Sequence, residues 1–114
     1  MEILDILKYF VSIATVLVGV VALFWPDRIT GFTGLSYSGP RGITEIRSVL
    51  GAFFIGMGAA ALYLNDVVAY TMLGITYLVV GVVRLIAMFV DKSVERSNVI
   101  SVVFELFAGV VLLL

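Results

Sequence analysis

The chain has no cysteine and no histidine. Those two absences remove disulfides, thiolate nucleophiles, Cys/His zinc sites and the usual axial ligands of haem. No phosphate-cradling glycine loop, nucleophile elbow or metal-ligand motif takes their place, so no metal and no cofactor is expected. Charge is scarce as well: Asp, Glu, Lys and Arg make up 13 % of the residues, against roughly 25 % in a typical soluble domain. With a net charge of -1 and no stretch that interleaves several basic residues with aromatics, nucleic-acid binding is excluded. The only two prolines, Pro26 and Pro40, fall in one short segment, which leaves the rest of the chain free of helix breakers.

What is present in excess is apolar. Hydrophobic residues reach 62 % and mean hydropathy is +1.21, more than a soluble fold of 114 residues can hide. The charges cluster between long apolar runs, the distribution a bilayer imposes. Glu2 and Asp5 beside a single Lys8 give no basic leader region, so the first run is expected to be retained as a helix.

The runs predict helices over residues 7–25, 43–64, 67–90 and 97–114, each near the roughly 20 residues needed to cross a hydrocarbon core of about 30 Å. Residues 26–42, PDRITGFTGLSYSGPRG, are rich in turn formers and read as a loop that dips into the interface. Asn65-Asp66 reads as a tight turn. Only helices satisfy their own backbone groups in lipid. Short connections make neighbours antiparallel, so the expectation is an all-α, single-domain, integral membrane antiparallel four-helix bundle. Tyr9, Trp25, Tyr63 and Tyr70 stand near helix ends, where interfacial anchors belong. Arg28, Arg41, Lys92 and Arg96 lie in the first and third connections, with Arg47 nearby. The protein is therefore expected in the cell membrane with both termini away from the cytoplasm.

Helical spacing gives each run one small, partly polar face. On the first it comprises Ser12, Thr15, Gly19 and Ala22. On the second it is Glu45, Ser48, Ala52, Gly56, Ala60 and Tyr63. The third carries Gly74, Tyr77, Gly81, Arg84, Met88 and Asp91, and the fourth Asn98, Ser101, Glu105, Ala108 and Gly109. Such faces let helix backbones approach closely inside a bilayer.

Glu45, Arg47, Arg84 and Glu105 form the candidate polar cluster, with Ser48, Tyr77, Asn98 and Ser101 as secondary members. A lone charge at the bilayer centre costs on the order of 3 kcal/mol, so such groups pair or line a wet cavity. Guanidinium can donate to two carboxylates at once, which would set Arg84 between Glu45 and Glu105. Arg47 lies about 200° around the helix from Glu45, so a regular helix cannot turn both inward. The cluster reads either as an ionic clasp that fixes which helices meet or as a polar site for a headgroup or proton.

The segments GLSYSGPRGITEIRSVLGAFFIGMGAAALYL, GVVRLIAMFVD and FELFAGVVLL resemble an uncharacterised family of small four-helix membrane proteins in the DoxX-like group. The resemblance runs from about Trp25 to the C-terminus, and its most specific parts are Glu45-Ile46-Arg47, Arg84 and Glu105. It implies a four-helix membrane fold and matches those residues to the family's polar positions, without implying an activity. DoxX-like relatives include quinone-linked oxidoreductase subunits, and similar small bundles bind or isomerise sterols with buried carboxylates; that likeness is one of fold.

The leading functional expectation is a binding or accessory protein. It would hold a lipid-like or quinone-like amphiphile, or pack as a subunit of a larger membrane complex, with membrane lipids as its surroundings. A homo-oligomeric transporter or channel that uses buried carboxylates is one alternative. An intramembrane enzyme with Glu45 or Glu105 as general acid or base is another, opposed by Arg84, which would hold a neighbouring carboxylate charged.

Overall fold

The computed structural model describes residues 2–114. It is all-helical, with no strand among the described residues. The helices are α1 (Ile3–Phe24), α2 (Pro26–Thr33), α3 (Pro40–Leu64), α4 (Val67–Val90) and α5 (Arg96–Leu113). Four of them, α1, α3, α4 and α5, have 22, 25, 24 and 18 residues and are long and apolar enough to cross a membrane. At 1.5 Å per residue they extend about 27 to 38 Å.

The segment expected as a loop over 26–42 contains a helix. Proline is pre-organised for the first turn of a helix, where its missing N–H would be unsatisfied anyway. Pro26 opens α2 and Pro40 opens α3 in this way. Gly34 ends α2 with φ 79°, its N–H returning to the Thr30 carbonyl, a left-handed conformation glycine adopts without a Cβ penalty. The Tyr37 hydroxyl donates to the Asp27 carboxylate and ties the connecting turn back to α2. That bond raises the Tyr37 pKa above its ordinary value, with nearby Arg47 opposing the rise.

The helices fall into two compact units, Ser12–Leu64 and, separately, the residues up to Val11 together with Asn65–Leu114. Within the first unit α1 and α3 run antiparallel at close range. A Cβ at Gly19 would lie 2.5 Å from the Gly51 carbonyl oxygen, and one at Gly58 would lie 2.6 Å from that of Ser12. Ser12, Thr15, Gly19 and Ala22 are buried.

The packed side of α3 is not the one its sequence suggests. Ile46, Gly51, Gly58 and Ala61 are buried, whereas Glu45, Ser48, Ala52, Gly56, Ala60 and Tyr63 are exposed. Over Phe53–Leu64 the helix is regular, and its approach to α1 falls on the Gly58 and Ala61 side; before it, a π-helical stretch over Ile46–Ala52 sets which residues join that side. In an α-helix, residues five apart stand about 140° apart, whereas the wider π turn returns them to one side. Ile46 and Gly51 thereby share a face with Gly58 and Ala61.

In the second unit α4 and α5 form another antiparallel pair. Gly74 and Gly109 provide the close approach: a Cβ at Gly74 would meet the Leu112 Cβ at 2.9 Å and the Gly109 carbonyl oxygen at 3.2 Å. Asp66 caps α4, its side chain accepting from the Ala69 N–H at 2.8 Å. Tyr63 is 88 % exposed, as an interfacial anchor would be, but Tyr70 is 5 % exposed. Its hydroxyl donates to the Asn65 side-chain oxygen at 2.8 Å, and the Lys8 ammonium lies 5.7 Å from its ring centroid. Tyr70 therefore locks the turn from within instead of anchoring it at a surface.

Candidate functional site

The polar centre of the second unit grows from the end of α4. Asp91 is the C-cap, Lys92 takes a left-handed conformation at φ 54°, and the Ser93 N–H reaches back to the Met88 carbonyl at 2.8 Å. This Schellman arrangement satisfies the last carbonyls of α4 and turns the chain sharply. It also fixes Ser93, whose carbonyl accepts from the Asn98 amide at 2.9 Å while its hydroxyl lies 3.3 Å from the same nitrogen. Asn98, in the first turn of α5, is oriented by those contacts so that its oxygen faces α4.

Arg84, two turns before the end of α4, completes the arrangement. Its Nε and one terminal nitrogen donate to the two Glu105 oxygens at 2.8 and 2.9 Å, and its other terminal nitrogen donates to the Asn98 oxygen at 3.0 Å. The result is a bidentate fork, the strongest geometry available to this pair. Glu105 is largely enclosed, with 11 % of its side chain exposed, whereas Arg84 retains 34 %. Gly81 allows this approach: a Cβ there would lie 2.8 Å from Leu106 and 3.3 Å from the Glu105 Cβ.

Charge and solvation decide what the fork can do. Each carboxylate oxygen of Glu105 accepts one hydrogen bond from Arg84, a pairing that favours its charged form. Three of the five N–H groups of the guanidinium are used by Glu105 and Asn98, which leaves two. Beside Arg84 an open cleft of about 460 Å³ lies between α4 and the turn into α5. Val79, Val80 and Val83 wall it, and Arg84, Asp91 and Asn98 line its polar end. One end is thus apolar and the other carries hydrogen-bonding groups, the layout of a small-amphiphile site.

The other residues singled out by sequence lie elsewhere. Glu45 sits in the first unit, where Arg41 one turn earlier donates to its carboxylate in an exposed ion pair. Within the second unit the partners of Arg84 are Glu105 and Asn98. Arg47 is exposed and acts electrostatically on Tyr37. Ser48 is exposed, and Ser101 half-buried on α5. Tyr77 stacks edge-to-face on Phe104 with centroids 5.8 Å apart, bracing α4 against α5 below the fork. Ser93 and the valine wall are members of the site that sequence reasoning passed over, while Asp91 stood on the Arg84 stripe without being taken as a site residue. Ser93 had a signal in the polar turn that follows Val90, but nothing in the spacing marks three valines among so many as a cleft wall.

No group of three or more Asp, Glu, His or Cys side chains that could hold a metal occurs among the described residues. No curated protein and no solved structure matches the chain. A family model does match, over residues 3–114, and its description is a domain of unknown function. The chain belongs to that family, DUF4345.

Proposed function

We propose that this protein is a four-helix antiparallel membrane bundle that binds a lipid-like or quinone-like amphiphile in the cleft beside Arg84. The carrying observation is the juxtaposition of a partly exposed, pre-oriented guanidinium with a wall of exposed valines in one cleft. A guanidinium already held by Glu105 and Asn98 loses little side-chain entropy when it donates its remaining N–H groups. The valine wall gives an acyl or isoprenoid chain an apolar bed.

Membrane residence is supported by the four long apolar helices and by large apolar side chains left exposed along them, among them Val67, Met72, Val83 and Phe89. Both termini face away from the cytoplasm in this reading, because the basic residues gather in the first and third connections. A reporter enzyme fused after Leu114 should be inactive in the cytoplasm; an active one overturns the orientation. The likeness to DoxX-like bundles accords with a small membrane scaffold around a hydrophobic ligand. The fork weighs against the enzymatic and proton-relay alternatives because a guanidinium paired with Glu105 favours the charged carboxylate.

Val83→Phe tests the binding role, because Val83 is 60 % exposed on the cleft wall and phenylalanine would fill the space without touching the fork. An amphiphile that copurifies with the wild type should be lost from this variant at unchanged folding. Identical bound-lipid spectra for the two proteins would remove the cleft as a binding site.

A further inference from the structure

The charges around the cleft restrict the head it accepts. Arg84 and Asp91 line the same cleft, yet the ion pairs among the described residues are Arg84 with Glu105 and Arg41 with Glu45. Arg84 lines the cleft with two N–H groups that Glu105 and Asn98 do not use, Asp91 lines it as a carboxylate residue, and no ion pair joins the two among the described residues. A phosphate or carboxylate head would gain from the two N–H groups, but it would enter beside Asp91 and against a guanidinium already neutralised by Glu105. A quaternary ammonium head would gain from Asp91 and leave the N–H groups without an acceptor. A ketone oxygen satisfies Arg84 and offers nothing to Asp91.

A hydroxyl satisfies both, because it accepts and donates at once. We infer that the ligand's head is uncharged and bears hydroxyl groups, as in a monoacylglycerol, accepting from Arg84 and donating to Asp91. This inference rests on the cleft being the amphiphile site and names the class of ligand for it. Ser93, which also lines the cleft, adds a second hydroxyl partner at the polar end.

The test uses the full chain in zwitterionic micelles, titrated by native mass spectrometry with four single-chain probes of equal chain length. They are lauroyl glycerol, the same ester with both hydroxyls methylated, dodecyl phosphate and dodecyltrimethylammonium. Lauroyl glycerol should bind at least about tenfold tighter than its methylated form, the step expected for one hydrogen bond to a charged group. Asp91→Leu should erase that tenfold preference. Asp91 is exposed, so this variant keeps the fold, and Arg84→Met with Glu105→Gln removes the fork as a neutral pair.

Tighter binding of the phosphate, the ammonium or the methylated ester, lost in the fork variant, overturns the hydroxyl inference and leaves the cleft as the site. Binding of every probe that is indifferent to both variants removes the cleft reading itself, and the inference with it.

Discussion

Removing Arg84 alone should harm the protein more than removing Arg84 and Glu105 together. Arg84→Met leaves the Glu105 carboxylate, 11 % exposed, without its two donors. Breaking a fully buried ion pair from one side costs about 3–5 kcal/mol. The partial exposure of Arg84 discounts this toward the lower end, about 3 kcal/mol. Glu105→Leu leaves a guanidinium that keeps Asn98 and access to the cleft, so about 1–2 kcal/mol is expected from the lost charged hydrogen bonds. In the double variant no charge is stranded, and apolar replacement of a buried pair is close to neutral. The double variant should therefore lie within about 1 kcal/mol of wild type, a coupling of roughly 4 kcal/mol between the sites. The assay is reversible unfolding in mixed micelles at increasing SDS, followed by far-UV circular dichroism. Additive losses, with the double variant the least stable of the three, would refute the treatment of the fork as a closed ionic unit.

Other outcomes follow from the same geometry. Gly19→Ala should destabilise by about 1–3 kcal/mol through overpacking, because its Cβ would meet backbone atoms of Gly51 and Ile55, while Gly56→Ala, with nothing within 4 Å, should not destabilise; equal losses in thermal midpoint would contradict the close α1–α3 approach. Lys92→Gly should raise stability by up to about 1 kcal/mol, since a left-handed conformation penalises any residue with a Cβ; a lower midpoint would argue against the Schellman turn. The Tyr37 phenol should titrate above its ordinary value of 10.0 because it donates to Asp27. A raised folded pKa means that the bond's contribution is whole below the unfolded value and is lost as pH rises through the folded one. Tyrosinate absorbance at alkaline pH should show one high-pH component that disappears in Tyr37→Phe or Asp27→Asn; an unchanged titration in both variants would contradict it.

The sequence and the structure agree where local rules act alone and part where they compete. Long apolar runs locate α1, α3, α4 and α5 because a chain that exposes so few polar groups has few other options. On α4 and α5 the i, i+3, i+4 stripe also locates the fork, since both helices are regular through Arg84 and Glu105. On α3 the same spacing argument fails from its first turn. The π stretch over Ile46–Ala52 resets the phase, and Gly51 and Gly58 outcompete Ser48, Ala52 and Gly56 for the seat against α1. Nothing in the residue spacing marks a π turn, nor the Arg41–Glu45 ion pair one turn apart within the first unit. The α2 helix is hidden for a different reason. Its glycines and threonines suggest a loop, and only the proline at its first position records that a helix begins there. Asn98 is legible as a polar residue on the right face, but its role depends on Ser93, which a left-handed turn at Lys92 brings within reach.

The most direct measurement is an experimental structure of the full chain in lipid nanodiscs, resolved well enough to see ordered amphiphiles. An elongated ligand should lie along Val79, Val80 and Val83, with a head oxygen about 3 Å from the free N–H groups of Arg84 and the Glu105 fork intact. A cleft closed by protein side chains, or an Arg84 whose remaining N–H groups meet only protein atoms, would contradict the account and leave the fork as a clasp between two helices.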